Sequence, residues 1–484
     1  MNRKLISNDK FAVYRVNDES PGSENDTETR SANPTIVPTT KNKQTKQTNQ
    51  TNQTKQNERR SHVVPVKHEL FPEEDFLKSC PDYDYMPTVL PPVPRIIVIG
   101  DVHGDLQLAI KSFEIAKLVD KELNWIADPQ NTVVVQVGDQ VDSCRPINGV
   151  YDCHSKRQKN DSADDTNVID FFNKMHEKAK KVGGQVLSLL GNHELMNVEW
   201  DFRYVSYDNF YNFKYEVDGV KYEGPSGRKD AFKPGGDIAK LLACQRNAVI
   251  VVGSNMFIHA GILPALVEKI EHMNIDDQTK LTYINSIVRK WLLNKVIKKD
   301  EKNILSYFLN DAKVSPFWAR VFGMIPTGVT LDSGECDNSV KKILNFFKLG
   351  QIIVGHTPQL MINEEGINGT CVDSTGKNRL YRVDGGFSKG FKIWSHSNLV
   401  QVLEILNDNT FNIISDEGTT NIDEIPDVGI MDTYMPDVAK IYAQNRVKSD
   451  SKSDSNSNSK SDSKSKSKSK SKKYQRHQRK FSMY

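Results

Sequence analysis

Five short apolar runs, each closing on a polar signature, constrain this chain more than any other feature. RIIVIG (95–100) leads into Asp101-Val102-His103-Gly104-Asp105, and TVVVQVG (132–138) leads into Asp139-Gln140-Val141-Asp142. QVLSLLG (185–191) leads into Asn192-His193-Glu194, AVIVVGSNMFIHAG (248–261) presents His259, and QIIVG (351–355) precedes His356-Thr357. Continuous Val/Ile/Leu runs of this length suit strands buried on both faces. Between them, VIDFFNKMHEKAKK (168–181) has apolar residues at helical spacing and stops at Gly183-Gly184. Near the end, LVQVLEIL (399–406) and TFNIIS (410–415) flank Asn-Asp-Asn, a hairpin signal. The sum is an α/β fold with mixed sheets around one core, spanning 95–430. The stretch 264–345 is a mostly helical insertion that packs over a sheet edge or, alternatively, shapes a substrate cap.

Outside that body the composition changes. The apolar fraction of 37% over 484 residues is low for one fully folded chain, so some segments must dilute a normal core. Residues 1–62, including KNKQTKQTNQTNQTKQNERR (41–60), cannot bury enough surface to offset their ordering entropy and read as disordered. Residues 63–94, with LPPVP at 90–94, form an extended Pro-rich arm. The net charge of +3 is unevenly spread: residues 446–484 hold 13 Lys+Arg against 3 Asp, and 1–94 hold 13 of each sign, which leaves −7 on 95–445. The Lys/Ser-rich C-terminal tail is a solvated, disordered extension, with contact to a polyanion as its sharper alternative. No apolar run is long enough to span a bilayer, and the N-terminus lacks a secretory apolar stretch, so the expected location is cytoplasmic or nuclear, without secretion or membrane insertion. Six cysteines (80, 144, 153, 244, 336, 371) show no CxxC spacing and are expected as free thiols, a Cys144–Cys153 pair being the alternative.

The residue types at the strand ends are those of a metal site. In open α/β sheets, ligands gather beyond the carboxyl ends of strands, and five such ends can converge. Carboxylate, imidazole and amide oxygen suit Mn, Fe, Zn or similar ions without a soft thiolate. Asp101 and His103, two residues apart, can reach one ion as the chain turns, and the two oxygens of Asp139 can bridge two ions. Two ions about 3.5–4 Å apart can clamp both sides of a displacement at phosphorus. A neutral imidazole beside them can protonate the leaving oxygen, and a second carboxylate can hold its tautomer.

GDVHGD, GDQVD, GNHE, IHAG and VGHTP, in this order, resemble the calcineurin-like metallophosphoesterase superfamily and, within it, the phosphoprotein phosphatases. NHELMNVEWDFRYVS (192–206) and YRVDGGFSKGF (381–391) further resemble its Shewanella-like protein phosphatase group; the likeness covers about 95–395. It implies a calcineurin-like α/β fold of two mixed β-sheets sandwiched by helices. It implies two metal ions, the first held by Asp101, His103 and Asp139, the second by Asp139, Asn192, His259 and His356. His193 would be the general acid, paired with Asp142, and a metal-bridging hydroxide would attack directly, without a covalent phosphoenzyme. The implied activity is phosphomonoester hydrolysis on phosphoserine or phosphothreonine in proteins, or alternatively on a small phosphoester or nucleotide; a non-catalytic polyanion-binding protein is a third reading. The sequence departs from the family in its second block, usually Gly-Asp-x-x-Asp-Arg-Gly, whose Arg binds phosphate. Here Ser143 and Cys144 follow Asp142, so Arg145, Arg203 and Arg320 are the candidates for phosphate binding.

Each of these positions also has a purely structural alternative. Asp, Asn and Gly are common in turns at strand ends, and a lone His such as His259 is commonly a satisfied core residue. Five matching strand ends in order outweigh that reading. His154, His176, His272 and His396 lack such context and read as surface or structural, while Asp105, Glu194 and Asp384 support the loops.

Overall fold

The computed structural model describes residues 4–8, 11–15 and 73–423, apart from 148–151, 159–160, 272–274, 364, 393 and 396–397. The expectations for most of 1–62, for 63–72 of the arm, for 424–430 and for the 446–484 tail lie outside the described residues, as do His272 and His396. Near the N-terminus, β1 (Lys4–Asn8) and β2 (Phe11–Arg15) pair antiparallel with Lys4 opposite Arg15.

In the body the chain lays down β3 (Val89–Leu90), β4 (Arg95–Ile99), β5 (Val133–Gln136) and β6 (Gln185–Leu189). A small ribbon of β7 (Lys214–Val217) and β8 (Val220–Glu223) follows, then β9 (Arg246–Asn247), β10 (Val249–Val252) and β11 (Asn255–Ile258). After the helical insertion come β12 (Gln351–Val354), β13 (Asn368–Val372), β14 (Asn378–Arg382), β15 (Gln401–Leu406), β16 (Thr410–Ser415) and β17 (Gly418–Asn421). One sheet has seven strands in the order β17-β16-β15-β4-β5-β6-β9, the other six in the order β13-β14-β12-β11-β10-β3. Both are mixed. β4, β5 and β6 run parallel, with Ile96 opposite Val133 and Val133 opposite Gln185. β11 and β12 also run parallel. The carboxyl ends of the five signature-bearing strands thus emerge in two parallel groups.

Strand periodicity explains how the sheets stack. Ile250, Val252, Phe257 and Ile353 share one apolar cluster with the strands of the seven-stranded sheet. Their neighbours Val249, Val251, Met256 and Ile352 point the other way, into a cluster with the helices. Side chains alternate across a strand, so the six-stranded sheet is buried on both faces, as its unbroken apolar runs require. Helices Asp277–Leu292 and Lys299–Asn310 of the insertion cover its outer face through Ile284, Ile287 and Phe308. Asn285 fixes the contact, its Oδ1 accepting from the backbone N–H groups of Ala248 and Val249 at 2.8 and 3.0 Å.

The expected helix runs Asp165–Lys180 and is followed by Gly183 at φ 86°. The expected hairpin is β15–β16, turning through Asn407 and Asp408 at φ 50° and 59°. No helix among the described residues is long and apolar enough to cross a membrane.

The expectation of free thiols is corrected. All six cysteines are paired: Cys80–Cys244, Cys144–Cys153 and Cys336–Cys371, with Cα separations of 5.7, 5.9 and 5.7 Å. These separations sit within the range a disulfide requires. Two of the pairs join positions 164 and 35 residues apart, which only the fold brings together. The pairing removes the thiol argument for a reducing compartment. Cys80–Cys244 ties the arm before β3 to helix Asp237–Gln245. Replacing both partners by Ala is expected to cost about 2–5 kcal/mol of stability, read as a lower denaturant midpoint.

Candidate functional site

Each strand ends in a turn that throws a polar side chain toward one point. After β4, His103 lies at φ 47°; after β5, Asp139 and Asp142 lie at 55° and 73°; after β12, His356 lies at 66°. Left-handed backbone at four non-glycine residues is unfavourable and persists only where surrounding bonds enforce it, commonly at functional sites. Those bonds are present. The N–H groups of Val102 and His103 both donate to Asp139 O, at 3.1 and 2.9 Å. The buried Glu194 carboxylate accepts from the N–H groups of Asp139, Gln140 and Gly191 at 3.0, 2.7 and 2.7 Å, tying the β5 and β6 turns together. Gly191 and Gly355 are required by proximity: a Cβ on the first would collide with Asp139 Oδ1, and on the second with Asp101 Oδ1.

Asp139 is the centre. Its Oδ1 accepts from the N–H of His193 at 2.9 Å. Its Oδ2 lies 3.3 Å from His259 Nε2, 3.8 Å from His193 Nε2 and 3.9 Å from His103 Nε2. Hydrogen bonds on the far side orient two of these rings: His259 Nδ1 meets Val137 O at 2.9 Å, and His103 Nδ1 meets Val141 O at 3.4 Å. His259 Nε2 also lies 3.0 Å from Asn192 Oδ1. His356 packs against His259 at 4.9 Å between ring centroids and uses Nε2 on Trp318 O at 3.0 Å, which leaves Nδ1 for the cluster. Asp101 stands beside His103, with Oδ2 3.9 Å from Nε2 and accepting from the His356 N–H at 2.9 Å.

Two groups can each hold a cation: His103, Asp139 and His193, and Asp139, His259 and His356. Asp139 belongs to both. The first contains His193 where the expected set has Asp101, which stands 3.9 Å from His103 Nε2. The donor chemistry fits metal ions, and Asp101 Oδ1 is buried with no hydrogen-bond partner. The electrostatics agree. Burial, and then the charges of Asp384 and Asp139, push Asp101 well above the usual carboxylate range, the mark of acidic groups lacking a counter-charge. Burial, then Arg145, keeps His103 neutral well below its ordinary value, and burial, then Arg320, does the same for His356. Burial opposes ionisation of Asp139, but the imidazoles of His259 and His193 outweigh it and hold the carboxyl well below its usual range. For His103, His356 and Asp139 these are the states a metal binds, whereas Asp101 and His259, the latter raised despite burial by its pairing with Asp139, must each give up a proton to a cation.

His193 opens helix Asn192–Val198 and joins a second pair. Its Nδ1 is 2.8 Å from Asp142 Oδ2, so the carboxylate accepts a hydrogen bond from Nδ1–H and Nε2 faces the cluster. The three arginine candidates separate clearly. Arg145 is buried, donates to the carbonyls of Asp142 and Cys144 at 2.8 and 2.9 Å, and lies 4.5 Å over the Phe391 ring on the His103 side. Arg320 donates to His356 O at 2.9 Å on the opposite side. Arg203 pairs with Asp201, has 40% of its side chain exposed, and lies 5.7 Å from the Tyr204 ring, which in turn packs 5.0 Å from the His193 ring. The end of the helical insertion contributes directly, since Trp318 and Arg320 both bond His356. His154 stacks on Phe210 at 4.0 Å and His176 bonds Val186 O at 2.9 Å, both structural as expected. Asp165, Asn197 and Arg228, which bond around Asp142, were missed. The signal for Asn197 was its position one helical turn after His193; Arg228 carried none.

The profile of the calcineurin-like phosphoesterase family matches residues 94–360. An uncharacterised protein, R398, of Acanthamoeba polyphaga mimivirus is 53% identical over 246 residues, covering 51% of this chain and 98% of that protein. Shewanella-like protein phosphatase 2 of Arabidopsis thaliana is 30% identical over 354 residues, 66% of this chain and 77% of its own length. The crystal structure of a cold-active protein-tyrosine phosphatase of a psychrophile Shewanella species overlays with a TM-score of 0.50 at 21% identity, over 70% of this chain and 83% of that one, a likeness of fold.

Because Asp139 belongs to both groups, Asp139→Ala is expected to lower total bound divalent metal more than His103→Ala or His356→Ala alone. Elemental analysis of the purified variants checks this.

Proposed function

The chain belongs to the calcineurin-like phosphoesterase family, and from that premise we propose that it hydrolyses phosphomonoesters at a two-metal centre, with phosphoserine or phosphothreonine in proteins as substrate. The observation that carries this reading is Asp139 Oδ2 within 3.3–3.9 Å of three imidazole nitrogens, beside a His193–Asp142 pair. Asp101, His103 and Asp139 would hold one ion, and Asp139, Asn192, His259 and His356 the other. Bound there, two ions (Mn, Fe or Zn) supply Lewis-acid charge and activate a water as nucleophile. The finer claim of protein substrates draws on the relative named a protein phosphatase.

The chain's own groups do the rest. Asp142 accepts from His193 Nδ1–H and fixes the tautomer, so that Nε2 can carry the proton delivered to the leaving oxygen. Arg145 and Arg320 flank the cluster from two sides, and their planar guanidinium groups suit a phosphate. Arg145 thus takes the place of the Arg that the family carries directly after the Asp142 position, reaching back by hydrogen bonds to the turn it follows. The buried carboxylates at the centre disfavour an unpaired anion, and cations held there would supply the positive charge that suits a substrate phosphate.

His193→Asn, with Asp142 intact, is expected to lower kcat on a phosphoserine peptide by about 10²–10⁴-fold while bound metal is retained. Turnover measured with added Mn²⁺ on phosphopeptides and on nucleotides checks the substrate class. Robust nucleotide turnover without phosphopeptide turnover contradicts the protein-phosphatase reading, and unchanged turnover in His193→Asn contradicts the acid assignment.

A further inference from the structure

Behind the His193–Asp142 pair lies a fully buried arginine that the chemistry above does not use. Arg228, on helix Gly224–Phe232, has no exposed surface. Its Nε donates to Asn197 Oδ1 at 2.9 Å, its Nη1 to Asn209 O at 3.1 Å and its Nη2 to Asp165 Oδ2 at 2.7 Å, with Asp142 Oδ1 at 3.4 Å. The rings of Phe232 and Phe213 sit 4.9 and 5.4 Å from the guanidinium carbon. A guanidinium pays a high desolvation cost in such a place unless its fork is fully engaged. Here it meets two buried carboxylates and two amide oxygens.

Three of these four contacts lead to Asp142. Asn197, held by Arg228, donates Nδ2–H to Asp142 Oδ1 at 2.9 Å and also to His193 O at 2.9 Å. Asp165, held by Arg228, accepts the Asp142 N–H through Oδ1 at 3.1 Å. Backbone and carboxylate of Asp142 are therefore both fixed from the Arg228 side, and only Oδ2 is left to meet His193. Arg228 is a single cation set between the Asp165 and Asp142 carboxylates, at 2.7 and 3.4 Å.

We propose that Arg228 is a positioning residue for phosphoester hydrolysis, acting through Asn197, Asp165 and Asp142 to aim the His193 imidazole at the leaving oxygen. This rests on the general-acid role proposed above for His193. It goes beyond that role by assigning a function to a residue far from the strand-end motifs.

A misaimed acid harms a substrate in proportion to its need for a proton. An alkoxide-like leaving group needs one as the P–O bond breaks, whereas a nitrophenolate departs without it. The test compares a phosphoserine peptide with p-nitrophenyl phosphate on the metal-loaded full chain. Arg228→Met is expected to lower kcat on the phosphopeptide by about 10–100-fold, a fraction of what general acid catalysis contributes. On p-nitrophenyl phosphate the loss should stay within about 3-fold by the same argument, with KM and bound metal retained. Arg228→Lys should restore part of the phosphopeptide rate, since it keeps the charge and loses the fork. If Arg228→Met does not fold, Asn197→Ala removes the same restraint on Asp142 with less disruption and should show the same selective loss. Equal losses on both substrates in these variants would overturn the proposal and leave Arg228 a structural residue. His193→Asn, run alongside, separates the two readings. If it loses both substrates equally, the general-acid role itself fails; if it is selective and the Arg228 and Asn197 variants are not, only the positioning role fails.

Discussion

The site depends on one buried carboxylate with its two oxygens turned to different tasks. Asp139 Oδ1 accepts the His193 N–H and so fixes where helix Asn192–Val198 begins. Its Oδ2 faces three imidazole nitrogens that arrive from three separate strand ends. Concentrating this many polar groups in a low-dielectric interior is costly. The cost is met locally: Glu194 binds three backbone N–H groups of the adjoining turns, and carbonyls orient the rings from behind. The remaining imbalance, carboxylates without a counter-charge, is what two cations would correct.

The fold serves this convergence in two layers. Parallel pairing within β4–β5–β6 and within β11–β12 brings each group of carboxyl ends to one edge. The sheets hold their stacking through alternating apolar side chains, so the polar turns sit at the end of a stiff core. The helical insertion, which mainly covers the outer sheet face, returns at Trp318 and Arg320 to fix His356. Its two roles are therefore compatible, packing along its helices and shaping the site at its end.

Much of this was legible in the sequence because it is local. A strand followed by Gly-Asp-x-His or Gly-Asn-His carries its own turn and its own ligands, and the unbroken apolar runs announce burial on both faces. The disulfides were misread because compartment reasoning says nothing about which cysteines the fold brings together; Cys80 and Cys244 are 164 residues apart. Arg203 and Arg145 both meet the Tyr204 ring at 5.7 Å, yet Arg145 is buried on backbone carbonyls whereas Arg203 is partly exposed on nearby Asp201, a difference the sequence does not carry. Arg228 could not be seen at all, since its partners Asn197, Asp165 and Asp142 lie 31, 63 and 86 residues away in the chain. What escapes a single sequence here is the support behind the clustered polar groups, which comes from distant segments, and not the groups themselves.

The central claim is that Asp139 is shared by two metal ions. Anomalous diffraction from crystals of the full chain grown with Mn²⁺ tests it most directly. The account predicts two anomalous peaks about 3.5–4 Å apart, one on the His103 side and one on the His259–His356 side, both within bonding distance of Asp139. A single peak, or a pair that Asp139 does not touch, would contradict it.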